Sequence, residues 1–136
     1  MQPRITHLCL HVENLEDCVR FYRRYCHMEV IEDHSDGGVG SVYMSEAAKQ
    51  NELVFQFKSG GGTLTLNEND ERHFGFTVES REAVDDIAKL ARQDEIIFFE
   101  PDEYLPGAYL CGVKDPNGNC VEFAYGHQVP PASLLV

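Results

Sequence analysis

Hydrophobic and polar positions alternate in two separate segments of the chain, one opening at His7 and the other at His73. Alternation over about six residues is typical of a strand with two different faces. The second segment follows the first at an offset of 66 residues, since 73 − 7 = 66, and the two align without a gap. Their histidines, a valine and two glutamates coincide, so the pattern predicts an internal repeat.

A helix is predicted directly after each opening strand. Asn14 and Ser80 are good N-cap residues, because their side chains can accept a hydrogen bond from the first free backbone N–H groups of a helix. Apolar residues then recur at helical spacing. The predicted helices are Leu15–Cys26 and Arg81–Gln93.

Three strand-like segments separated by turns follow each helix. They are Met28–Glu32, Val39–Met44 and Leu53–Lys58 in the first half, and Ile96–Glu100, Ala108–Val113 and Asn119–Tyr125 in the second. The predicted fold class is therefore α+β, with two βαβββ modules in tandem that form a curved mixed sheet around a cavity. We assign residues 1–66 to the first module and residues 67–136 to the second, which also carries an irregular C-terminal tail.

Composition narrows the range of partners. Hydrophobic residues make up 43% and charged residues 25% of the 136 residues, as in ordinary globular proteins. The net charge of −12 argues against nucleic acid or an anionic membrane as a partner. Five cysteines without a CxxC pair predict reduced thiols in a cytoplasmic protein, and Cys9, Cys111 and Cys120 are expected in the core.

The offset of 66 also relates residues of the two closing strands. It places Glu122 on Gln56, because 122 − 66 = 56, just as it places His73 on His7. Two such halves packed about a pseudo-two-fold axis would bring these four donors to one point. Two imidazoles, a carboxylate and an amide oxygen suit one divalent Zn, Ni, Co, Mn or Fe. We therefore predict a metal site formed by His7, Gln56, His73 and Glu122.

Other residues share strand faces with these donors. Residues two positions apart on a strand point to the same side, so Cys9, His11, Lys58 and Thr77 are predicted to contact a substrate. The remaining histidines lie in loop-like contexts and are interpreted as surface groups: His27, His34 and His127.

The repeat and the closing segment Asp115-Pro116-Asn117-Gly118-Asn119-Cys120-Val121-Glu122 resemble the glyoxalase I/bleomycin-resistance/extradiol dioxygenase superfamily, also called vicinal oxygen chelate. The resemblance extends from about Ile5 to Tyr125. It implies a divalent-metal-dependent lyase or isomerase similar to glyoxalase I, acting on a small chelating oxygen substrate through an enediolate-type intermediate. Glu122 would move the proton.

Departures from that family pattern keep other functions open. Glyoxalase I usually has an arginine where this chain has His11, an asparagine where it has Gly60, and often a glutamate where it has Gln56. If Gln56 does not bind, His7, His73 and Glu122 form a set suited to an Fe- or Mn-dependent dioxygenase or thiol transferase. The alternative of a different class is a metal-free small-molecule binding protein. Family members commonly form homodimers, and either chain closure or exchange between chains would complete a site.

Overall fold

The computed structural model describes residues 1–127. Ten elements follow one another in the order βαβββ–βαβββ. They are β1 (His7–Val12), α1 (Leu15–Cys26), β2 (Met28–Asp33), β3 (Ser41–Glu46), β4 (Val54–Ser59), β5 (His73–Thr77), α2 (Arg81–Gln93), β6 (Ile97–Leu105), β7 (Ala108–Lys114) and β8 (Cys120–Tyr125). The predicted α+β class with two βαβββ modules is confirmed, and both helices have the predicted bounds.

The chain divides into two compact units. The first contains residues 1–65 together with 116–118, and the second contains residues 66–115 and the described residues from 119 onward. The predicted tail lies outside the described residues, except for His127. No helix within residues 1–127 is long and apolar enough to cross a membrane.

The first unit is a four-stranded sheet in the order β1-β4-β3-β2 with α1 packed against it. β1 and β4 run parallel, so that Cys9 lies opposite Gln56. Asn14 caps α1 by accepting the Asp17 backbone N–H at 3.0 Å. Tyr22 of the helix meets Phe57 of β4 at a ring separation of 4.7 Å, and both side chains are fully buried. The apolar side of β4 therefore faces the helix.

The second unit repeats this plan with the sheet order β5-β8-β7-β6 and α2 packed against it. β5 and β8 run parallel, and Gly75 lies opposite Glu122. The offset of 66 that relates the sequences also relates these registers, because Cys9 and Gln56 plus 66 give Gly75 and Glu122. Ser80 caps α2 by accepting the Ala83 N–H at 3.1 Å.

Two strands, β3 and β6, differ from their predicted bounds by more than one residue, for reasons visible in the backbone. β6 continues past Glu100 to Leu105, although Pro101 lacks an N–H group. It is an edge strand whose pairing with β7 shifts register, and proline is tolerated in such positions. β3 starts at Ser41 rather than Val39, because Val39 closes a separate bridge to Asp36.

The turn between β7 and β8 is held by a buried asparagine. Asn117 is 2% exposed. Its side-chain oxygen accepts the Glu13 backbone N–H at 2.9 Å, and its amide nitrogen lies 2.9 Å from the Cys18 sulfur. Gly118 follows with φ of +83°, and a Cβ there would lie 2.0 Å from the Leu64 carbonyl oxygen. These contacts explain why the turn needs Asn and Gly in succession.

Candidate metal-binding site

Glu122 lies in the middle of β8 with its side chain 12% exposed. Its neighbours in the sheet are Gly75 on β5 and Gly112 on β7. A Cβ on Gly75 would approach the Glu122 Cβ to 3.3 Å. Gly75 therefore leaves space beside the carboxylate. This side of the sheet faces away from α2, because Val121 and Phe123, the residues adjacent to Glu122, are buried in the core.

His73 opens β5 beside this carboxylate. Its Nε2 atom lies 3.3 Å from Glu122 Oε2, and its Nδ1 atom lies 2.6 Å from the Glu71 carbonyl oxygen. A carbonyl oxygen only accepts, so Nδ1 must carry a hydrogen and donate. In a neutral imidazole, Nε2 then carries a lone pair and lies 3.3 Å from a carboxylate oxygen. That arrangement is repulsive unless a cation, either a proton or a metal ion, lies between the two atoms.

The donor spacing fits a divalent metal. Two ligand atoms bound to one metal at about 2.1 Å, with an angle of about 100° between the bonds, are about 3.2 Å apart. The measured 3.3 Å between Nε2 and Oε2 is close to this value. Nδ1 of His73 donates to the Glu71 carbonyl oxygen. Histidines that bind metals commonly make such a hydrogen bond, which orients the ring and fixes its tautomer. His73 and Glu122 therefore match two adjacent ligands of one metal.

His127 is a third polar side chain at this carboxylate. It follows β8 and the turn at Gly126, and its Nδ1 atom lies 3.4 Å from Glu122 Oε1. His127 was predicted to be a surface group, but it contacts Glu122 and its side chain is 34% exposed. Gly126 precedes it with a positive φ of +80°, and sequence alone does not show where the chain leads after this glycine.

The first unit pairs the other two predicted ligands. His7 and Gln56 line one cavity of about 400 Å³, together with Arg4, Tyr43 and other residues of β2 and β4. The His7 Nδ1 atom lies 2.9 Å from the Thr6 hydroxyl oxygen, which can donate or accept. Gln56 has Cys9 and Tyr43 as its neighbours in the sheet, where Glu122 has two glycines. This half therefore offers a neutral amide and an imidazole.

Each unit thus contains one imidazole and one oxygen donor of the predicted set. Within residues 1–127, no group of three or more His, Cys, Asp or Glu side chains is arranged to hold a metal ion. A pair of donors on its own is a weak site, since catalytic metals commonly have three or more protein ligands. The donor chemistry consequently fits a metal only if the pairs act together or His127 joins one of them.

The predicted substrate-contacting residues lie on the faces that carry the metal donors. Cys9, His11, Lys58 and Thr77 are all exposed. Of the described residues that line the cavities at Gln56 and Glu122, none is one of these four. Their role stays a prediction.

The prediction that Cys9 lies in the core is wrong, because β1 presents it to solvent. Cys111 and Cys120 are buried as predicted. Burial raises the pKa of Cys111 to about 12 and that of Cys120 to about 11. Both thiols remain protonated at neutral pH and are unreactive.

The carboxylate of Glu122 opens into a cavity of about 660 Å³ in the second unit. Charged residues come from the segment before β5, and apolar residues come from β6 and β7. The lining residues are Glu68, Asp70, Glu71, Arg72, His73, Phe98, Phe99, Tyr104, Leu105, Leu110, Cys120, Glu122 and His127. A larger cavity of about 820 Å³ lies between α1 and β2 in the first unit, and its lining contains none of the four predicted ligands.

Comparison with known proteins identifies the class. Residues 4–123 match the Glyoxalase/Bleomycin resistance protein/Dioxygenase superfamily, and the chain belongs to this superfamily. It is 41% identical over 134 residues to the uncharacterized protein PA2024 of Pseudomonas aeruginosa, covering 98% of this chain and 96% of the relative.

Solved structures with the same fold have diverse activities. The fosfomycin resistance protein FosX of Listeria monocytogenes is similar with a TM-score of 0.70 and 19% identity, covering 93% of this chain and 95% of that one. The trypanothione-dependent glyoxalase I of Leishmania major is similar with a TM-score of 0.66 and 18% identity, covering 92% and 88%. At such identities the likeness shows the fold alone.

Proposed function

We propose that this protein is a divalent-metal-dependent lyase or isomerase of the glyoxalase I-like type, acting on a small substrate with chelating oxygens. His7, Gln56, His73 and Glu122 would hold one metal. The observation that carries the proposal is the arrangement of His73 and Glu122. Nδ1 donates to the Glu71 carbonyl oxygen, and Nε2 lies 3.3 Å from Oε2, a spacing that two ligands of one metal would have.

A bound divalent metal would supply a Lewis acid that polarises a carbonyl and lowers the cost of removing a neighbouring proton. The chain's own contribution is the placement of the groups around that proton. Gln56 is a neutral amide and cannot take a proton at working pH, so Glu122 is the base of the set. Its neighbour Gly75 has no side chain to compete for the space beside the carboxylate.

Reaction type follows from the ligand set. Four protein ligands would leave room on a six-coordinate metal for two substrate oxygens, which suits proton transfer next to a polarised carbonyl. If Gln56 does not bind, the three remaining ligands favour the second candidate, an Fe- or Mn-dependent dioxygenase or thiol transferase. The fold shared with FosX and with the oxidase ChaP-H2 supports keeping this second candidate.

The donor pairs lie in different units, and we propose that a homodimer completes the site, each metal taking one pair from each chain. This would satisfy the need for more than two ligands. A symmetric pair of chains would then carry two equivalent sites, as expected for a two-fold dimer.

The test is metal binding by the stripped protein, measured by calorimetry and elemental analysis with Ni, Co, Zn, Mn and Fe(II) in turn. We expect about one metal per chain and a loss of affinity of more than tenfold in His73→Ala and in Glu122→Ala. His34→Ala is the matched control, because His34 is an exposed imidazole paired with Glu32. Equal affinity in the wild type and both site variants would disprove the proposed centre.

Gln56→Ala separates the two candidate reactions. A large loss of affinity in this variant supports the four-ligand site and proton transfer. No loss supports the three-ligand site, and the preferred metal, Fe or Mn against Ni, Co or Zn, then provides an independent check.

A further inference from the structure

One wall of the cavity at Glu122 is apolar and aromatic. It consists of Phe98, Phe99, Tyr104, Leu105 and Leu110, from β6 and β7. Tyr104 and Leu105 are each 50% exposed, so large apolar surfaces face the open cavity. A cavity of about 660 Å³ is in the size range of small-molecule sites, in which aromatic walls hold the apolar part of a ligand.

Phe99 is placed beside the carboxylate by a glycine. Gly112 of β7 lies between Phe99 of β6 and Glu122 of β8 in the register of the sheet. A Cβ on Gly112 would lie 2.1 Å from the Phe99 Cε1 atom, so the ring occupies the space of the absent side chain. The ring and the carboxylate are consequently neighbours on one face of the sheet.

The aromatic side chains hold one another in place. The rings of Phe99 and Tyr104 meet edge to face at a centroid distance of 5.2 Å, and those of Phe98 and Phe99 are 5.9 Å apart. The Tyr104 hydroxyl donates to the Glu100 carbonyl oxygen at 2.7 Å, so this polar group is satisfied by the protein. The wall therefore offers ring faces and edges for packing, and aromatic pairs favour such stacked or edge-to-face contacts.

Charge at the cavity disfavours anions. Its lining contains four carboxylates, Glu68, Asp70, Glu71 and Glu122, against one guanidinium. That guanidinium, Arg72, already binds Asp70 through hydrogen bonds of 2.5 to 3.1 Å. The same contact lowers the Asp70 pKa to about 2, so the carboxylate stays ionised at neutral pH. A ligand with its own carboxylate or phosphate meets net repulsion here.

We infer that the substrate is an oxygen chelator that carries an aromatic ring and is neutral or cationic beyond its chelating group, with the ring packed on Phe99 and Tyr104. This inference rests on the proposed function, because the ring is held next to the proposed metal ligands. A substrate of this kind differs from a peptide thiol conjugate. The carboxylates of such a conjugate need basic side chains to bind them.

The first experiment needs no metal. Benzylamine and benzoate carry the same ring with opposite charges, and each is titrated into metal-free protein while backbone amide resonances are followed. We expect saturable shifts at the Phe99 and Tyr104 amides with benzylamine, and at least about tenfold weaker binding of benzoate, which is about 1.4 kcal/mol. Equal binding of the two compounds, or no binding of benzylamine, contradicts the inference.

The second experiment uses metal-loaded protein and two chelators with the same metal-binding group, benzohydroxamate and acetohydroxamate. We expect the phenyl compound to bind at least about tenfold more tightly, again about 1.4 kcal/mol. Phe99→Leu keeps apolar volume and removes the ring, so the preference should fall below about threefold. Gly112→Ala should also reduce it, since the added methyl group displaces the ring. Tyr125→Leu is the control, because Tyr125 is an exposed ring of β8 outside this cavity.

The outcomes separate the two proposals. Metal binding without a phenyl preference overturns the aromatic site and leaves the proposed function standing. Selective benzylamine binding that is lost in Phe99→Leu, in a protein that binds no metal, overturns the metal centre and supports the aromatic site. Failure of both measurements disproves both. Circular dichroism and thermal midpoints establish that each variant is folded before its binding is compared.

Discussion

Replacing Glu122 by glutamine should change stability in opposite directions with and without metal. In the metal-free protein the Nε2 atom of a neutral His73 carries a lone pair and lies 3.3 Å from a carboxylate oxygen, a contact without attraction. A glutamine amide can donate a hydrogen bond to the same lone pair, and such a bond contributes about 0.5–1.5 kcal/mol. We therefore expect the free energy of unfolding of metal-free Glu122→Gln to equal or exceed that of the wild type by up to about 1 kcal/mol.

Bound metal should make the wild type more stable to unfolding than Glu122→Gln. A ligand at a free concentration of about one hundred times its Kd stabilises the folded state by about 2.7 kcal/mol. If the substitution weakens binding tenfold, the same metal concentration contributes only RT ln 11, about 1.4 kcal/mol, and a larger loss of affinity reduces it further. The variant should thus gain at least about 1.3 kcal/mol less than the wild type from the metal.

Urea unfolding with a chelator and with each tested metal measures both effects. Glu79→Gln is the matched control, because it removes one carboxylate from an exposed position of the same unit. The control should keep the full metal increment. The reasoning is refuted if Glu122→Gln gains as much from metal as the wild type, or if the metal-free variant is destabilised by more than about 1 kcal/mol, a loss typical of removing a favourable contact.

Three further predictions follow from the described contacts. In a purified heterodimer, one chain carries His7→Ala and the other carries Glu122→Ala. If each site takes one donor pair from each chain, one of the two sites keeps all its ligands and about half of the sites should bind metal. If each chain closes its own site, both sites lose a ligand and none should bind metal; elemental analysis distinguishes the two cases. Iodoacetamide at pH 8 should modify exposed Cys9 more than about a hundredfold faster than Cys111, because burial raises the pKa of Cys111 to about 12. Peptide mass spectrometry measures both rates, and similar rates would contradict this prediction. Asn117→Ala should lower the free energy of unfolding by about 1–3 kcal/mol, because the Glu13 N–H loses its acceptor, whereas the exposed-site variant Asn69→Ala should change it by less than about 0.5 kcal/mol in urea unfolding.

The fold was predictable because local and repeated signals agree. Asn14 and Ser80 cap the helices as their side-chain chemistry implies. The constant offset of 66 residues places matching strands in matching registers, Cys9 opposite Gln56 and Gly75 opposite Glu122. Where the prediction missed, tertiary context decided: β6 crosses Pro101 because its pairing is irregular and it lies at an edge.

The residues that surround the predicted metal ligands were less predictable from the sequence than the ligands themselves. The offset identified Gln56 and Glu122. The residue that lies opposite each of them on the neighbouring antiparallel strand, β3 or β7, depends on a register that the repeat does not conserve. Tyr43 lies opposite Gln56 and Gly112 opposite Glu122, an offset of 69 because 112 − 43 = 69. His127 was missed for a similar reason, since the course of the chain after Gly126 is a tertiary feature. Cys9 was misplaced because the partly buried residues of β1 are its adjacent residues, Leu8 and Leu10, on the other face of the strand.

The two halves place different residues around their predicted oxygen ligands, so we expect the halves to have different roles. Around Gln56 the flanking positions are filled by Cys9 and Tyr43, and the donor is a neutral amide that moves no proton. Around Glu122 the flanking positions are glycines, and the Phe99 ring occupies the space that Gly112 leaves. If the four proposed ligands hold a metal, the two halves would contribute differently, because the second half combines the carboxylate of Glu122 with an aromatic cavity wall. The first half would then serve to hold the metal, so substitutions at Tyr43 should affect turnover much less than substitutions at Phe99.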